Sequence, residues 1–185
     1  MAKLFLPDNT VLINFAYCGE MALLETIVGA KGAWVASVEA ECNQKADELQ
    51  LPELRTARQI FGKPLRPETP AEHIQVRIHR DHFSSPGDGP KKHLGESETL
   101  AILECRDLGT TIFVTDDRQV SLRATACMIP VTCITTWDLV RFAVRADHAD
   151  EAIALRMRRT LMTHDRVHIG YVRDEMAFVN WLNES

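Results

Sequence analysis

The sequence predicts an α/β fold, a three-layer α/β/α sandwich in which helices cover both faces of a mainly parallel central sheet. Short apolar runs alternate along the chain with longer segments whose apolar residues recur at helical spacing. Strands that alternate with helices form open parallel sheets, because each helix carries the chain back to the start of the next strand. A chain of 185 residues is long enough for one such domain and too short for two ordinary ones.

The first half of the chain is predicted to contain two strand–helix units. Residues 3–6 (KLFL) form the first strand, and a helix follows over residues 10–29. Residues 33–37 (AWVAS) form the second strand, and its helix covers residues 38–61. Pro and Gly are then frequent, so residues 62–95 are predicted to be an irregular insert around the short segment EHIQVRIH.

The second half repeats the alternation of helix and strand. A helix over residues 96–109 precedes the run TTIFVT at 110–115, whose β-branched and aromatic residues are typical of a strand buried on both faces. A short helix over residues 118–128 leads to a fourth strand, PVTCIT, at 130–135. A further helix begins at Thr136.

Two amphipathic segments follow and predict extra C-terminal helices. Their apolar residues recur at helical spacing, and these are Ile153, Met157 and Leu161 in the first segment and Val172, Met176, Val179 and Leu182 in the second. We therefore divide the chain into a domain over residues 1–145, which includes the insert, and a helical extension over residues 146–185 that packs on it. Such helices usually complete a core, and docking of a second copy or a partner protein is the alternative.

Composition and charge limit the classes of function. No run of about 18 apolar residues is present, and Pro7 and Asp8 interrupt the N-terminal apolar run, so we expect no membrane span and no export signal. The five cysteines form no CxxC pair, as expected of reduced thiols in a cytoplasmic protein. A net charge of -5 argues against binding of nucleic acid by overall attraction. It does not argue against an enzyme whose acids hold a metal ion.

Acidic residues follow the first three predicted strands or open the helix before the third. Because ligands bind at the carboxyl ends of the strands in open parallel sheets, we expect these acids to meet at one edge. They are Asp8 after the first strand, Glu39 and Glu41 after the second, Glu96 and Glu98 at the start of the helix before the third, and Asp116 and Asp117 after the third.

Carboxylates that converge in this way require a cation. Two carboxylates about 5 Å apart repel by roughly 3 kcal/mol at an effective dielectric constant of about 20, so four would destabilise the fold or become partly protonated. A divalent cation removes the conflict, and hard oxygen ligands suit Mg²⁺ or Mn²⁺. One ion polarises a phosphodiester and activates a water, and a second can stabilise the leaving oxygen. The predicted chemistry is metal-dependent phosphodiester hydrolysis.

The acidic segments resemble, in their order, the motifs of the PIN-domain nucleases, especially the toxin ribonucleases of type II toxin/antitoxin modules. Residues 8–13 (DNTVLI) are similar to the family's D-x-[ST]-x-L-I pattern, and Asn14 is also typical. The segments ASVEAEC, GESETLAIL and VTDDR resemble its later acidic motifs. The match covers about residues 3 to 140. It implies a PIN-like fold and a Mg²⁺- or Mn²⁺-dependent endoribonuclease.

The resemblance also implies which acids are catalytic. Glu41 is preferred to Glu39, because the family places its Glu three residues after a β-branched position, here Val38. Glu98 is preferred to Glu96, because it stands where the family often has an Asp before an A-x-I-A-like run. The implied catalytic and metal-holding residues are Asp8, Glu41, Glu98 and Asp117, with Asp116 as an additional ligand. The secondary candidates are Glu39, Glu96, Thr10, Asn14 and Thr115.

Each acid also has an ordinary structural alternative. Asp8 can be a helix N-cap, Glu96 and Glu98 can be first-turn acids favoured by the helix dipole, and Asp116 and Asp117 can end a strand in a turn. Four such coincidences at matching positions are less plausible together than one metal site.

The histidines give a weaker metal signal. The pairs His79 with His82 and His164 with His168 have helical spacing that suits a metal, but no Cys or acid stands near them at ligand spacing. We therefore do not expect a zinc site.

The partners are implied by the resemblance alone. RNA in single strands or loops is the expected substrate, because its backbone bends into an acidic cleft more easily than a duplex does, and DNA is the alternative. A cognate antitoxin that places a helix or a basic side chain near the acids, and a homodimer, are also implied. The second hypothesis for the chain is a non-catalytic PIN-fold interaction module with a vestigial metal site.

Overall fold

A computed structural model of the chain describes residues 3–89, 91–166 and 170–184. These residues form a mixed α/β fold around a small parallel sheet of strand order β1-β2-β3. The strands are β1 (Leu4–Pro7), β2 (Thr111–Val114) and β3 (Val131–Ile134). Leu4 pairs with Thr111 and Thr111 pairs with Val131, so the strands start level and their carboxyl ends lie at one edge.

Helices make up most of the rest of the described chain. They are α1 (Asn9–Tyr17), α2 (Met21–Val28), α3 (Ala36–Glu48), α4 (Ala57–Phe61), α5 (Pro70–Phe83), α6 (Leu94–Cys105), α7 (Arg118–Ala126), α8 (Thr136–Arg145), α9 (Glu151–Thr163), α10 (Gly170–Arg173) and α11 (Glu175–Asn183). Short 3₁₀ turns lie at Gly29–Lys31 and Pro52–Thr56. No helix in the described ranges is both long and apolar enough to cross a membrane.

The prediction of a strand at residues 33–37 is wrong. This stretch makes only isolated parallel bridges, one between Phe5 and Gly32 just before it and one between Val35 and Leu65. The chain thus touches the free edge of β1 at a single point. It then turns away before a ladder of hydrogen bonds can form.

The early start of α3 explains why this strand is lost. The helix begins at Ala36, and the carboxylate of Glu98 accepts the N–H of Ser37 at 2.7 Å. A carboxylate at this end of a helix satisfies an N–H that has no partner within the helix and favours the dipole. Glu39 and Glu41 therefore lie inside the first turns of α3 rather than after a strand.

The two long helices predicted in the first half are each interrupted. The segment 10–29 divides into α1 and α2 at Gly19, whose φ of 69° is in the left-handed region that ends a helix. The segment 38–61 divides where Gln50 has a φ of 54° and Pro52 follows. Helical spacing continues across both breaks, so periodicity alone does not reveal them.

The insert at residues 62–95 is more ordered than its Pro and Gly content predicts. It contains the 14-residue helix α5, which packs along α6. Thr69 and Glu72 form a capping box at its start, in which the Thr69 hydroxyl accepts the Glu72 N–H and the Glu72 carboxylate accepts the Thr69 N–H. The sequence around EHIQVRIH therefore belongs to a full helix.

The sheet contributes to an apolar cluster on each of its faces. Phe5 and Ile112 belong to the larger cluster, which includes residues of α1, α2, α3 and α8. Leu6 and Phe113, which alternate with them, pack with residues of α6 and α7. Met157 of α9 and Phe178 of α11 are fully buried in the larger cluster. The C-terminal helices thus complete the same core as the sheet.

Glu72 provides a test of what holds the insert to the core. The residue is only 2% exposed, and its carboxylate accepts hydrogen bonds from the Arg106 guanidinium at 2.5 and 3.1 Å. This guanidinium lowers the pKa of Glu72 to about 2 from an ordinary value of 4.5. The carboxylate therefore stabilises the fold above about pH 4.5, and this contribution is lost as the pH falls toward 2.

We expect Glu72→Gln to lower the free energy of unfolding by about 1.5–3 kcal/mol at pH 7, the usual worth of hydrogen bonds to charged groups. Urea unfolding at pH 7 and pH 3 should show a smaller difference between these pH values for the variant than for the wild type. Glu68→Gln is the matched control, because its side chain is 76% exposed and lies 3.8 Å from Arg106. Its effect should stay within about 0.5 kcal/mol, and equal effects of the two substitutions would contradict the role of Glu72.

Candidate functional site

The candidate site lies at the carboxyl ends of β1 and β2. Asp8 directly follows β1, and its N–H continues the ladder by donating to the Val114 carbonyl at 2.8 Å. The carboxylate of Asp8 caps α1 by accepting the Asn9 N–H at 2.6 Å, and the residue is only 4% exposed. Asp8 can therefore be both a helix N-cap and a residue of the site. One of its oxygens accepts the N–H of Asn9, and its carboxyl is also close enough to Glu96 and Asp116 to be affected by their charges.

Asp8, Glu41 and Glu96 form the centre of an acid cluster. Burial raises the pKa of each of these carboxyls to about 7, and the charges of the group add to the effect. Glu96 raises the pKa of Asp8, Asp8 raises that of Glu41, and Glu41 raises that of Glu96. Three mutually repelling carboxylates thus share one poorly solvated place.

Gly95 makes room for Glu41 in this cluster. A Cβ at this position would lie 3.3 Å from Oε1 of Glu41 and 3.0 Å from Cγ2 of Val38. The backbone N–H of Gly95 donates to the Glu41 carboxylate, which partly offsets the rise in pKa. Gly95 therefore lets the start of α6 approach α3 closely enough to bring Glu96 and Glu41 together.

Asp116 is held at the end of β2 by three donors. Its carboxylate accepts the Thr136 N–H at 2.8 Å, the Thr136 hydroxyl at 2.6 Å and the Asn14 side-chain amide at 2.9 Å. Asn14 and Thr136 are almost fully buried. The charge of Asp116 contributes to the raised pKa of Asp8, so this well-anchored carboxylate faces the cluster.

Asp117 contributes charge from the start of α7. Its carboxylate caps this helix by accepting the Gln119 N–H at 2.7 Å, and its own N–H donates to the Thr115 hydroxyl at 3.2 Å. The charge of Asp117 raises the pKa of Glu96. The Thr115 hydroxyl thus positions the Asp117 backbone, while the Thr10 hydroxyl hydrogen-bonds Asp8 and lowers the pKa of that carboxyl.

The remaining two glutamates differ in their surroundings. Glu98 is buried, and one of its oxygens is used by the N–H of Ser37, although its charge still contributes to the raised pKa of Glu41. Glu39 forms an ion pair with the exposed Arg58. The sequence favoured Glu41 over Glu39 and Glu98 over Glu96. The structure places Glu41 and Glu96 at the centre of the cluster, while Glu98 accepts a backbone N–H at the start of α3.

Arg166 is a member of the site that the sequence did not indicate. Its Nε donates to the Asn14 side-chain oxygen at 2.5 Å, and its guanidinium lies 5.7 Å from the centre of the Tyr17 ring. Burial lowers the pKa of Arg166, while Tyr17, Asp116 and Asp8 act in the opposite direction. No periodic pattern or motif marks this arginine, because it follows α9 in the C-terminal extension and reaches the acids only in the folded chain.

The acidic side chains of the cluster do not have the arrangement of a metal-binding site in this structure. Within residues 3–89, 91–166 and 170–184, no three His, Cys, Asp or Glu side chains are arranged so that they could hold a metal ion. The buried His79 contacts Glu104 at 2.8 Å and accepts from Arg123 at 3.1 Å, so it ties α5, α6 and α7 together. The other pair includes His168, which lies outside the described residues.

The raised pKa values predict an unusual dependence of stability on pH. Between about pH 4.5 and 7 the folded cluster retains protons that the unfolded chain releases, so stability falls as the pH rises through this range. In a buffer with EDTA we expect Asp8→Asn to reduce this fall and to raise the free energy of unfolding at pH 8 by on the order of 2–4 kcal/mol. Urea unfolding measured from pH 4.5 to 8 tests this.

Asp150→Asn is the matched control for Asp8→Asn. Asp150 also caps a helix, by accepting the Ile153 N–H at 2.7 Å, but it is exposed and does not belong to the cluster. Asn caps helices about as well as Asp, so neither substitution should weaken its helix. A loss of stability in Asp8→Asn at pH 8 would contradict the repulsion inferred here.

Comparison with known proteins assigns no family to the chain. A scan against protein-family models found no match, and searches of curated proteins and of solved structures found none either. The likeness of its motifs to those of the PIN-domain nucleases therefore stays a resemblance. What the chain does has to be inferred from its acid cluster and from the residues that hold that cluster in place.

Proposed function

We propose that the chain is a Mg²⁺- or Mn²⁺-dependent endoribonuclease that hydrolyses phosphodiester bonds in RNA. The observation that carries the proposal is the convergence of Asp8, Glu41 and Glu96 at the carboxyl ends of the strands, with pKa values raised to about 7. Clustered titratable groups with strongly shifted pKa values are typical of functional sites. Among the described residues no Lys or Arg forms an ion pair with any of the three acids, and His93, 3.5 Å from Glu96, is the one basic side chain at ion-pair distance.

The donor set suits a hard divalent cation. All of the clustered groups offer carboxylate oxygens, the ligands that Mg²⁺ and Mn²⁺ prefer. The ion would be held by Asp8, Glu41 and Glu96 together with Asp116 or Asp117, so Glu96 takes the place that the motif resemblance gave to Glu98. Its binding requires these side chains to rearrange from the positions that they have in this structure. When bound, a divalent cation polarises a phosphodiester and lowers the pKa of a water.

The residues around the cluster position its acids. Thr136 and Asn14 fix the Asp116 carboxylate, and Arg166 fixes the amide of Asn14 by donating to its oxygen. The amide nitrogen of Asn14 is thereby directed to Asp116 and to the Thr136 hydroxyl, 3.1 Å away. This network holds the Asp116 carboxylate in place at the edge of the cluster.

Substrate and fold family are proposed from the motifs. The order of the acidic segments resembles the PIN-domain nucleases, and the two apolar clusters on opposite faces of the parallel sheet are compatible with their three-layer α/β/α sandwich. RNA in single strands or loops is the proposed substrate. A cytoplasmic location belongs to the same proposal.

A non-catalytic interaction module is the second candidate. It is favoured by one observation, that the described acids are not arranged to hold a metal ion as they lie. In that case the cluster would bind no cation, and the chain would act by contact with another macromolecule. Metal binding and RNA cleavage distinguish the two candidates.

The central test is cleavage of a mixed single-stranded RNA by the purified protein with Mg²⁺, Mn²⁺ or EDTA. We expect cleavage with either metal and none with EDTA. Asp8→Asn and Glu96→Gln should each lower the rate by at least about 100-fold, because each removes a charge from the group that would hold the ion. Glu98→Gln should cost less than about tenfold, since an amide oxygen can still accept the Ser37 N–H.

Calorimetric titration with Mg²⁺ gives a readout that does not depend on activity. The wild type and Glu98→Gln should bind the ion, and Asp8→Asn and Glu96→Gln should bind it more weakly or not at all. Cleavage that persists in EDTA, or a greater loss in Glu98→Gln than in Glu96→Gln, would contradict the assignment. If the wild type neither binds metal nor cleaves RNA, the non-catalytic interaction module is the remaining candidate function.

A role as the toxin of a toxin/antitoxin module is proposed on the resemblance alone. It implies an antitoxin partner that places a helix or a basic side chain near the acids, and a homodimer. Expression of the chain by itself in its native host should then slow growth, because RNA would be cut without control. Asp8→Asn, expressed to the same level, should relieve the effect. Normal growth with the wild type would count against the toxin role and leave the ribonuclease proposal untouched.

A further inference from the structure

A groove adjoins the acid cluster on the side of Glu41. It consists of two neighbouring depressions of about 330 and 300 Å³, which share Glu41, Gln44 and Lys91 in their walls. Glu98 lines the first depression and Glu96 lines the second. The two depressions, called here the Glu41 groove, therefore meet beside the proposed catalytic acids. A separate pocket of about 660 Å³ contains none of these residues and is lined by Lys3, Phe5 and Phe142 among others.

Basic side chains lie along the walls of the Glu41 groove. Arg66 and Lys91 line the first depression, and both are exposed and have no ion-pair partner among the described residues. Lys45 and Lys92 line the second depression and pair there with Glu48 and Asp88. Exposed pairs of this kind are weak, so both lysines can exchange their carboxylate for a phosphate at little cost. The groove thus carries cations on its walls next to acids near its centre.

This distribution of charge fits a polyanion that crosses the acids. A nucleic acid chain presents one negative charge per nucleotide, and cations placed on both sides of the acids can hold the phosphates that flank the one being cut. The overall charge of -5 would repel such a chain elsewhere on the surface. Each depression is at the small end of the range for ligand pockets, as suits a single nucleotide.

The groove offers few groups on which bases could stack. Among the described residues that line it there is no Phe, Tyr or Trp, and His93 is the one aromatic ring. Many proteins that bind single strands stack successive bases on aromatic side chains. Contacts here would therefore go mainly to the backbone phosphates.

We propose that the Glu41 groove binds the backbone of single-stranded RNA, with Arg66 contacting a phosphate on one side of the scissile bond and Lys91 contacting a phosphate where the two depressions meet. This inference rests on the proposed function, because that function supplies the RNA as the occupant. The inference adds to the proposed function the path of the RNA across the protein. It also names two residues outside the acid cluster, Arg66 and Lys91, that determine the affinity for RNA.

The test compares two double variants in the Asp8→Asn background, where cleavage does not remove the probe. Arg66→Gln with Lys91→Gln removes two groove cations that have no ion-pair partner in the described part of the chain. Lys31→Gln with Arg145→Gln is the matched control, because both residues are exposed, line neither depression and have no ion-pair partner in the described part of the chain. A short fluorescent single-stranded RNA of mixed sequence is titrated with each protein in Mg²⁺ buffer at several salt concentrations.

We expect the groove variant to bind the RNA at least about tenfold more weakly than the control variant at low salt. The slope of log affinity against log salt should also become shallower by about 1.4, since each phosphate contact on a single strand contributes about 0.7. Circular dichroism and urea unfolding should be unchanged, because both side chains are exposed. A single-stranded DNA of the same sequence should bind no more tightly than the RNA.

The outcomes separate this inference from the proposed function. If wild-type protein cleaves RNA but the groove and control variants bind it equally, the substrate takes another path and the inference is overturned alone. Tighter binding of the DNA than of the RNA would overturn the assignment of the occupant. If the wild type neither binds nor cleaves RNA, the proposed function fails and the inference fails with it.

Discussion

The desolvation of Asp8 is the constraint on which the rest of the site depends. This residue extends the ladder between β1 and β2 through its N–H and caps α1 through its carboxylate. The fold cannot move it into solvent without losing both contacts. Its charge is therefore kept beside Glu41 and Glu96, and the repulsion among the three is offset by the apolar core on either side of the sheet.

The acids around this centre are stabilised mainly by backbone N–H groups at the starts of helices. The Thr136 N–H at the start of α8 serves Asp116, the Gln119 N–H in α7 serves Asp117, and the Ser37 N–H in α3 serves Glu98. The free N–H groups and the dipole at a helix start favour negative charge, so these carboxylates need no cationic side chain. Asp8, Glu41 and Glu96 also accept backbone N–H groups, but burial and the charges of neighbouring acids outweigh these contacts and raise the pKa of each to about 7. The fold thus concentrates negative charge in one place, and a bound cation would reduce the repulsion among these carboxylates.

The C-terminal extension is part of both the core and the site. Met157 and Phe178 lie in the same apolar cluster as the sheet, so the helices beyond residue 145 are not an independent appendage. Arg166, which lies in the extension, donates a hydrogen bond to Asn14, and Asn14 in turn donates one to Asp116. The extension therefore supplies buried residues to the core and a hydrogen-bonding side chain to the site.

By itself the sequence determined the three strands that form, the helices after β2 and β3, and the positions along the chain from which acids could converge. These features depend on local composition and on the rule that the ends of parallel strands share an edge. The tertiary structure decided which acids meet. Glu96 and Glu98 are two residues apart, about 200° around a helix of 3.6 residues per turn, so they face different sides of α6 and no local pattern says which side is inward. The absence of a strand at residues 33–37, the helix within the insert and the approach of Arg166 to Asn14 depend on contacts between distant segments, which periodicity does not encode.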